Sequence, residues 1–492
     1  MLRMNDLENI LNIKFPDNCN ISNITNNSKK VKKDSVFFGL CGKNNHGSKY
    51  SLEALKLGAS FVVHDDERFQ VKNSNVFFVR NLENKIIQFL NSFYKIDINN
   101  NNFFTFTGTN GKTSSAFLCH QLLLNMGYES IYIGTIGVKH NNSNLETSFS
   151  SKTTPDIFEL FEIINSVEWS DESLNICIEV SSHALDQKRL KGVNWFNSSS
   201  LMNIKDDHLD YHKDISSYRD AKFSIFKTNS PVKLIHENIS DFSRDYEFVN
   251  NSDSQLISIS NKNNFADIYF KIKTISINSS EFYILINNPP HTQEHEKGKK
   301  YHFKCNLFPE FNITNLVFTI CSIGFDNFSE HTVNDLSFLN LPKGRTEFIK
   351  NIPDNIVIDY AHNEDAIEFI LKSLSNYFDN LVVVFGCGGN RDKNKRSKML
   401  RSAIENSTNV IFTSDNLRNE TFEDIFIDAK GDNKLDSVIA IEDRREAIIQ
   451  GTKMIKNNDC LVVLGKGHEN FQETNSNFIK FSDHEVINEI YS

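Results

Sequence analysis

The stretch FFTFTGTNGKTSSAFLCHQLLL, residues 103–124, decides how the chain is read. It begins as a run of aromatic and threonine residues with strand character and ends as a Leu-rich helix. Between them Gly108 and Gly111 bracket a turn, and Lys112 and Thr113 open the helix. Strand, glycine turn and helix in that order make a phosphate trap: the glycines let successive N–H groups curl inward, and the positive helix end faces the same point. A nucleoside triphosphate held there meets Lys112 as a point charge and the Thr113 hydroxyl as a magnesium ligand. Thr109, Asn110 and Ser114 complete the loop. The match to G-x-x-x-x-G-K-[ST] is incomplete, because Phe106 stands at the first glycine position. A Gly-Lys-Thr turn is also how a plain loop enters a helix, so the rest of the chain must choose between the two.

Outward from that turn, the 492 residues fall into three blocks, an α/β chain too long for one core. Residues 1–98 carry short strand-like runs (SVFFGL, SFVVHD, NVFFVR) around a helical SLEALKLGA, and close on a helix through Phe93 and Tyr94. In residues 99–341 apolar strands lead into polar turns and helices, the pattern of a parallel sheet covered by helices. Within them residues 259–301 read as a β-rich excursion, with NNPPHTQEHEKGKK as a solvated hairpin tip. In residues 342–492 the pattern restarts: NIVIDYAHNED, NLVVVFGCGGNRD, NVIFTSDNLRNE and CLVVLGKGHEN each end a Val- and Ile-rich run in a Gly, Asp or His turn, where open α/β sheets bind ligands.

Composition narrows the function further. A formal charge of −10 removes any global pull toward nucleic acid, so anionic ligands must be gripped locally. No apolar run reaches the length of a membrane span and the first residues lack a signal-peptide pattern, so the expectation is a cytoplasmic protein with neither membrane nor nucleic-acid partner. The eight cysteines form no C-x-x-C pair, which argues against a zinc ribbon or a disulfide framework.

Three further positions suit phosphate chemistry. Glu179 ends the apolar run NICIEV, where a carboxylate beside a phosphate loop is placed to hold magnesium; the plainer reading is a surface ion pair. His208 and His212 in KDDHLDYH stand four apart and could share a zinc ion on one helical face, although no further soft ligands lie nearby; a magnesium site or a core hydrogen bond serves as well. Lys222 in YRDAKFSIF sits among apolar and aromatic residues on an expected helix, where an isolated lysine would snorkel to water.

Taken in order, GTNGKTSS, TTPD, EVSSHALDQKR, DHLDYH, Y-x-x-A-K-x-x-x-F, FNITN, KGRTEF, DYAH, FGCGGNRDKNKR, DNLRNE and GKGHE resemble the motif series of the Mur ligases, the ATP-dependent amide-forming enzymes of peptidoglycan precursor synthesis. The resemblance spans nearly the whole chain and is nearest to the branch that adds meso-2,6-diaminopimelate to UDP-N-acetylmuramoyl-L-alanyl-D-glutamate. It implies three domains: a small α/β UDP-binding domain (1–98), a central P-loop ATPase domain with a parallel sheet (99–341) and a C-terminal Rossmann-like domain for the incoming amino acid (342–492). It further implies ATP as co-substrate and Mg²⁺, with Glu179 and His208 as metal ligands and Lys222 as the lysine that becomes carbamylated. Ser28 and the turn LCGKNNHG (residues 40–47) resemble contacts to the UDP end, and Thr153, Thr154, Ser181, Gln187 and Arg189 contacts to the muramoyl-dipeptide. Asn312, Arg345, Asp359 and His362 resemble residues around adenine and ribose. A monomer is expected.

Diaminopimelate differs from lysine by a second carboxylate at its far end, and a planar, permanently charged guanidinium reads such a group best. Arg418 in DNLRNE stands where the diaminopimelate-adding branch carries its arginine, with Arg391, Asp415 and Asn416 alongside and Gly465 and Glu469 at the distal amine. Against this, Arg418 could merely pair with Glu420 or cap a helix. Two departures stand out. Leu417 replaces a proline, which is expected to loosen the loop, and Asn363-Glu364 follows DYAH where Thr-Pro is common. The rival readings are a lysine-adding relative, a folylpolyglutamate synthase, and a catalytically silent structural partner of the kind found in plastid transcription complexes; the last is disfavoured by Lys112, Thr113, Glu179, His208 and Lys222.

Overall fold

The computed structural model describes residues 4–16, 19–42, 45–146, 153–170, 172–249 and 255–492. The architecture is mixed α/β around three main sheets. A four-stranded parallel sheet takes its strands in chain order, Asn23–Thr25, Ser35–Gly39, Ala59–His64 and Val76–Phe78. Helices Met4–Leu11 and Leu82–Tyr94 cover it through Leu7, Leu11, Leu82, Ile86, Phe89 and Leu90, which meet Val36, Phe38, Phe61 and Val63 in one cluster.

The twelve-stranded central sheet sets the position of the phosphate loop. Strand Asn102–Thr107 lies in its middle, parallel to Ser198–Leu201 on one side and to Asn175–Glu179 on the other. Alternation along this strand sends Phe103 to one core and Phe104 and Phe106 to another, so both faces are covered, as parallel sheets require. Hence the turn after Thr107, the carboxylate of Glu179 and the segment after Leu201 all emerge at the same edge. Towards one end the sheet turns antiparallel through Ile268–Ile275, Ser280–Ile286 and Lys300–Cys305. Residues 287–299 are the expected hairpin tip, since they join the antiparallel pair Ser280–Ile286 and Lys300–Cys305, and a tighter turn at 276–279 joins Ile268–Ile275 to Ser280–Ile286. The tip is not solvated throughout: residues 291–296 form a short 3-10 helix whose Glu296 is buried against the Tyr301 hydroxyl and Lys299.

The third sheet has strands Asn355–Asp359, Cys460–Leu464, Leu381–Phe385, Asn409–Phe412 and Val438–Ala440 in parallel, with Glu347–Phe348 antiparallel at one edge. Ile356, Ile358, Val382, Val384, Leu461 and Val463 face one helix layer; Val357, Val383, Phe385, Val462 and Leu464 face the other. The carboxyl ends therefore gather Asp359, Gly465, the turn from Gly386 and the loop from Thr413, where crevices form in such sheets. Among the described residues no helix is long and apolar enough to cross a membrane.

Candidate active site

The turn after Thr107 is a built loop. Gly111 has φ +89°, a conformation that favours glycine, and a Cβ there would come within 2.4 Å of Asn315 Oδ1. Helix Lys112–Asn125 follows with Gly111 at its N-cap and no side-chain cap, so its first-turn amides have no intrahelical acceptor. Asn203 braces the loop from the neighbouring strand, accepting from Asn110 N at 2.9 Å and donating to Asn110 O at 3.0 Å. Thr109 Oγ1 meets the Tyr218 hydroxyl at 3.1 Å. Lys112 Nζ folds back on its own turn, donating to the Gly108 and Thr109 carbonyls at 2.9 Å each. Ser114 is buried behind it.

Glu179 is fully buried and accepts four hydrogen bonds: Tyr132 OH at 2.5 Å and Thr135 N at 2.8 Å on Oε1, Thr113 Oγ1 at 2.9 Å and Thr135 Oγ1 at 3.1 Å on Oε2. That matches the acceptor capacity of a carboxylate and fixes its plane. The surface ion pair is thereby excluded as its role.

Lys222 lies on helix Ile215–Phe223 and is 1% exposed. Its amine makes no hydrogen bond or ion pair among the described residues and lies 4.7 Å over the Tyr218 ring. Burial, then the charge of Lys112, holds its pKa well below that of an ordinary lysine, against the pull of Asp207. Burial also lowers Lys112, with Glu179 and Asp207 opposing and Arg345 adding to the effect. Two lysines and an arginine thus share one neighbourhood with two carboxylates. Arg345 comes from the third block; its guanidinium stacks over the Tyr360 ring at 4.7 Å, and its buried Nε has no hydrogen-bond partner.

The histidines do not form a helical pair. His208 precedes helix Leu209–His212 at φ +52°, with Nε2 3.5 Å from Asp207 and its ring against His183; His212 is buried on the Ser182 hydroxyl at 3.0 Å. Among the described residues the one three-ligand His, Asp and Glu group is His295, Glu296 and Asp326, and Glu296 there is already met by Lys299 and Tyr301.

Beside Glu179, Thr154 Oγ1 donates to the Glu179 carbonyl and accepts from Ser181 N, and Arg189 donates to Thr154 O and Gln187 Oε1. Thr153 Oγ1 lies 3.3 Å from Thr135 Oγ1, whose proton goes to Glu179. Ser28 opens a short 3-10 turn, and its neighbours reach the helix that follows Thr154: Asn26 bonds Asp156, and Lys30 pairs with Glu159 at 2.9 Å. Of the turn at 40–47, Lys43 and Asn44 lie outside the described residues.

Asn312 is buried between Phe308 O and Asn315, which leads back to Gly111. Burial raises the pKa of Asp359, opposed by Arg345; the carboxylate accepts from Thr346 N, Thr346 Oγ1 and Ala361 N. His362 is exposed, with Nδ1 on the Tyr360 carbonyl. Asn363 caps helix Glu364–Leu374 through Ala366 N, so the pair standing for Thr-Pro starts that helix firmly.

At the ends of the third sheet, Asp415, Asn416, Gly465 and Glu469 converge on Lys466, which is fully buried: Nζ lies 3.0 Å from Glu469, 3.3 Å from Asn416 Oδ1 and 3.9 Å from Asp415. Arg418 does not pair with Glu420. It pairs with Glu473 at 2.9 Å and donates to Gly389 O at 2.7 Å, while Glu420 binds Arg396 through both oxygens at 2.8 Å. Arg391 is exposed beside Gly388. The loop around Leu417 is pinned rather than loosened, since Gly389 N bonds Asn416 O, Arg418 N bonds Glu473 O, and Asn475 N bonds Arg418 O. Sequence reasoning missed Thr135, Tyr132, Asn203, Asp207, Lys466 and Glu473. Lys466 and Asp207 sit inside motifs already quoted, whereas Tyr132, Thr135 and Glu473 carry no local signal.

Residues 106–323 match the model for the Mur ligase middle domain, and residues 344–467 that for the Mur ligase glutamate ligase domain. A Rickettsia montanensis protein named UDP-N-acetylmuramoyl-L-alanyl-D-glutamate–2,6-diaminopimelate ligase is 30% identical over 95% of both chains. A Clostridium acetobutylicum protein of the same name, numbered 2, is 32% identical over 97% of both. A solved structure of a ligase of that name superposes with a TM-score of 0.64 at 25% identity, over 98% of both chains. The chain belongs to the Mur ligase family of ATP-dependent, amide-bond-forming ligases.

Proposed function

We propose that this ligase joins meso-2,6-diaminopimelate to the γ-carboxylate of UDP-N-acetylmuramoyl-L-alanyl-D-glutamate at the expense of ATP, as a cytoplasmic monomer making peptidoglycan precursor. The observation that carries the reading is the glycine turn itself, where Gly111 at φ +89° opens a helix with uncapped first-turn amides, Lys112 lies on the turn with Arg345 near enough to act on its charge, and buried Glu179 stands beside them. The names of the relatives supply the acceptor and the amino acid. On this reading residues 1–98 hold the UDP end, 99–341 the ATP and 342–492 the amino acid.

The chain's own groups suit magnesium. Thr113 Oγ1 and Glu179 Oε2 lie 2.9 Å apart, close to the separation of about 3 Å between adjacent oxygens of an octahedral magnesium shell. Thr113 and Glu179, joined by His208, would hold one ion, and a carbamylated Lys222 would help hold a second; the metal supplies positive charge to the phosphates when bound. Lys222 suits CO₂ capture because burial favours its neutral amine: the nitrogen adds to the carbon of CO₂, a C=O bond gives way to the carboxylate, the nitrogen's proton leaves to water, and the carbamate offers an anionic oxygen.

In the reaction, Lys112 leaves the Gly108 and Thr109 carbonyls for the β- and γ-phosphates, and Arg345 meets the same charge from the third domain, beside an adenine and ribose site of Asn312, Asp359 and His362. The γ-phosphoryl group passes to the glutamate carboxylate, releasing ADP and leaving an acyl phosphate. Thr153, Thr154, Ser181, Gln187 and Arg189 hold the dipeptide in line. The amine of diaminopimelate, oriented by Arg391, Asp415, Asn416, Arg418, Gly465 and Glu469, then attacks the acyl carbon, loses a proton and expels phosphate. Positioning and charge neutralisation do most of the catalysis. With ¹⁸O in the glutamate γ-carboxylate, one labelled oxygen should leave in inorganic phosphate. Phosphate free of label would rule out the acyl phosphate.

A further inference from the structure

The buried carboxylate beside the glycine turn is held by three residues, and they do not hold its two oxygens alike. Oε1 of Glu179 accepts from the Tyr132 hydroxyl at 2.5 Å and from Thr135 N at 2.8 Å. Oε2 accepts from Thr135 Oγ1 at 3.1 Å and from Thr113 Oγ1 at 2.9 Å. Two donors fill each oxygen. Both donors on Oε1 come from strand Ser130–Gly134 and the residue after it, whereas on Oε2 one of them is Thr113, in the first turn of the helix that the glycine turn opens. Tyr132 has little freedom to leave. It is fully buried, its strand pairs in parallel with Asn175–Glu179, and its ring meets Phe117 edge-on at 5.6 Å. Gly134 leaves the pair room, since a Cβ there would come within 2.4 Å of the Tyr132 hydroxyl and 2.0 Å of Oε1.

We propose that Tyr132 is a positioning residue that makes Glu179 a one-oxygen metal ligand and so favours Mg²⁺ over Ca²⁺. The proposal rests on the magnesium reading of Glu179 and deepens it. With Oε1 occupied by two fixed donors, an ion arriving from the Thr113 side finds Oε2 alone. Mg²⁺ is small, keeps a strict octahedron and is satisfied by one oxygen of a carboxylate, whereas Ca²⁺ is larger, takes about six to eight oxygen ligands and readily draws both oxygens of one carboxylate. A site that offers one oxygen therefore withholds a ligand from Ca²⁺ and takes nothing from Mg²⁺. Without the phenol hydroxyl, Oε1 has an open acceptor position and the carboxylate plane loses one of its restraints, so the larger ion gains most. Partners that orient a metal ligand in this way change metal affinity or activity about 10–100-fold when removed.

The test uses the full chain, wild type and Tyr132→Phe, each with ADP and Mn²⁺. Bound Mn²⁺ loses the sharp electron paramagnetic resonance signal of the free ion, and Mg²⁺ or Ca²⁺ is titrated in to displace it. The nucleotide is common to both proteins, so its own preference cancels in the comparison, and the melting temperature without metal reports the fold. The expected result is a ratio of Ca²⁺ to Mg²⁺ displacement midpoints that falls about tenfold or more in the variant, with kcat at saturating Mg²⁺ down about tenfold and the KM for the UDP substrate within about twofold. An unchanged ratio, whether or not Mn²⁺ binding as a whole weakens, would make Tyr132 a wall of the core and overturn the proposal. Wild-type protein that binds no Mn²⁺ beyond what ADP alone holds would instead overturn the magnesium reading beneath it.

Discussion

Replacing Lys222 with methionine should separate catalysis from stability. Methionine keeps most of the unbranched stem and removes the amine, which is 1% exposed and has no hydrogen bond among the described residues. A buried polar group without a partner costs about 1–3 kcal/mol, while the contact over Tyr218 returns about 0.5–2 kcal/mol. Lys222→Met is therefore expected to melt at the same temperature as wild type or higher. The pH dependence has a definite sign. Because the folded pKa lies below the ordinary 10.5, the unfolded state binds more protons between those two values, and wild-type stability rises with pH across that window. The penalty is fully present below the folded pKa and gone above 10.5, so any advantage of the variant should shrink as pH rises from 7 towards 10. Turnover should fall by about 10²–10³, the usual cost of one transition-state charge partner. Calorimetry at both pH values and phosphate release measure the two effects. Activity within about threefold of wild type would remove Lys222 from the chemistry, and a loss of stability above about 2 kcal/mol would make it a structural residue.

Glu420→Gln should weaken the clamp that joins the Gly388 turn to the Arg418 loop. Arg396 beside it pushes the Glu420 carboxyl down to about 2 from 4.5, so its contribution is complete above pH 4.5 and is lost as pH falls through 2. With the 16% exposure of Glu420 discounted, the variant should lose about 1–2 kcal/mol near neutrality, and urea titrations at pH 7 and pH 3 should show the gap closing; a gap unchanged at pH 3 would refute the assignment. Gly134→Ala would put a Cβ 2.0 Å from Glu179 Oε1 and 2.4 Å from Tyr132 OH, and kcat should drop about a hundredfold with the fold intact by circular dichroism; normal turnover would free Glu179 from the mechanism. Gly389→Ala would meet Leu417 O at 1.9 Å, and it should raise the KM for the amino acid while leaving that for ATP within about twofold.

The parts of the fold carried by short-range pattern were legible. Residues 103–124 announce strand, turn and helix, and the four Val- and Ile-rich runs of the last block become adjacent parallel strands with ligand-facing carboxyl ends. Glu179 and Lys222 were marked by what preceded or surrounded them in the chain. What lay hidden depends on strand order. Thr135 and Tyr132 reach Glu179 only because strand Ser130–Gly134 pairs with Asn175–Glu179, a choice no local period encodes. The plain alternative for Arg418, a pair with Glu420 two residues away, fails for a similar reason: Arg396 takes Glu420 through the helix Asn394–Glu405, and Glu473 arrives on a hairpin 55 residues on. Residues 287–299 do cap a hairpin, as their polar composition suggests, but composition does not show that Glu296 turns inward to a tyrosine and a lysine partner.

On the proposed mechanism the glycine turn, its lysines and Glu179 energise a carboxylate so that an amine chosen at Arg418 displaces phosphate. Mass spectrometry of the product formed from UDP-N-acetylmuramoyl-L-alanyl-D-glutamate, ATP and an equal mixture of meso-diaminopimelate and lysine tests it most directly. The expected product carries one diaminopimelate, with ADP and phosphate released only when all three substrates are present. A lysine adduct would contradict the selection at Arg418, and no ATP consumption with every substrate supplied would contradict the whole account.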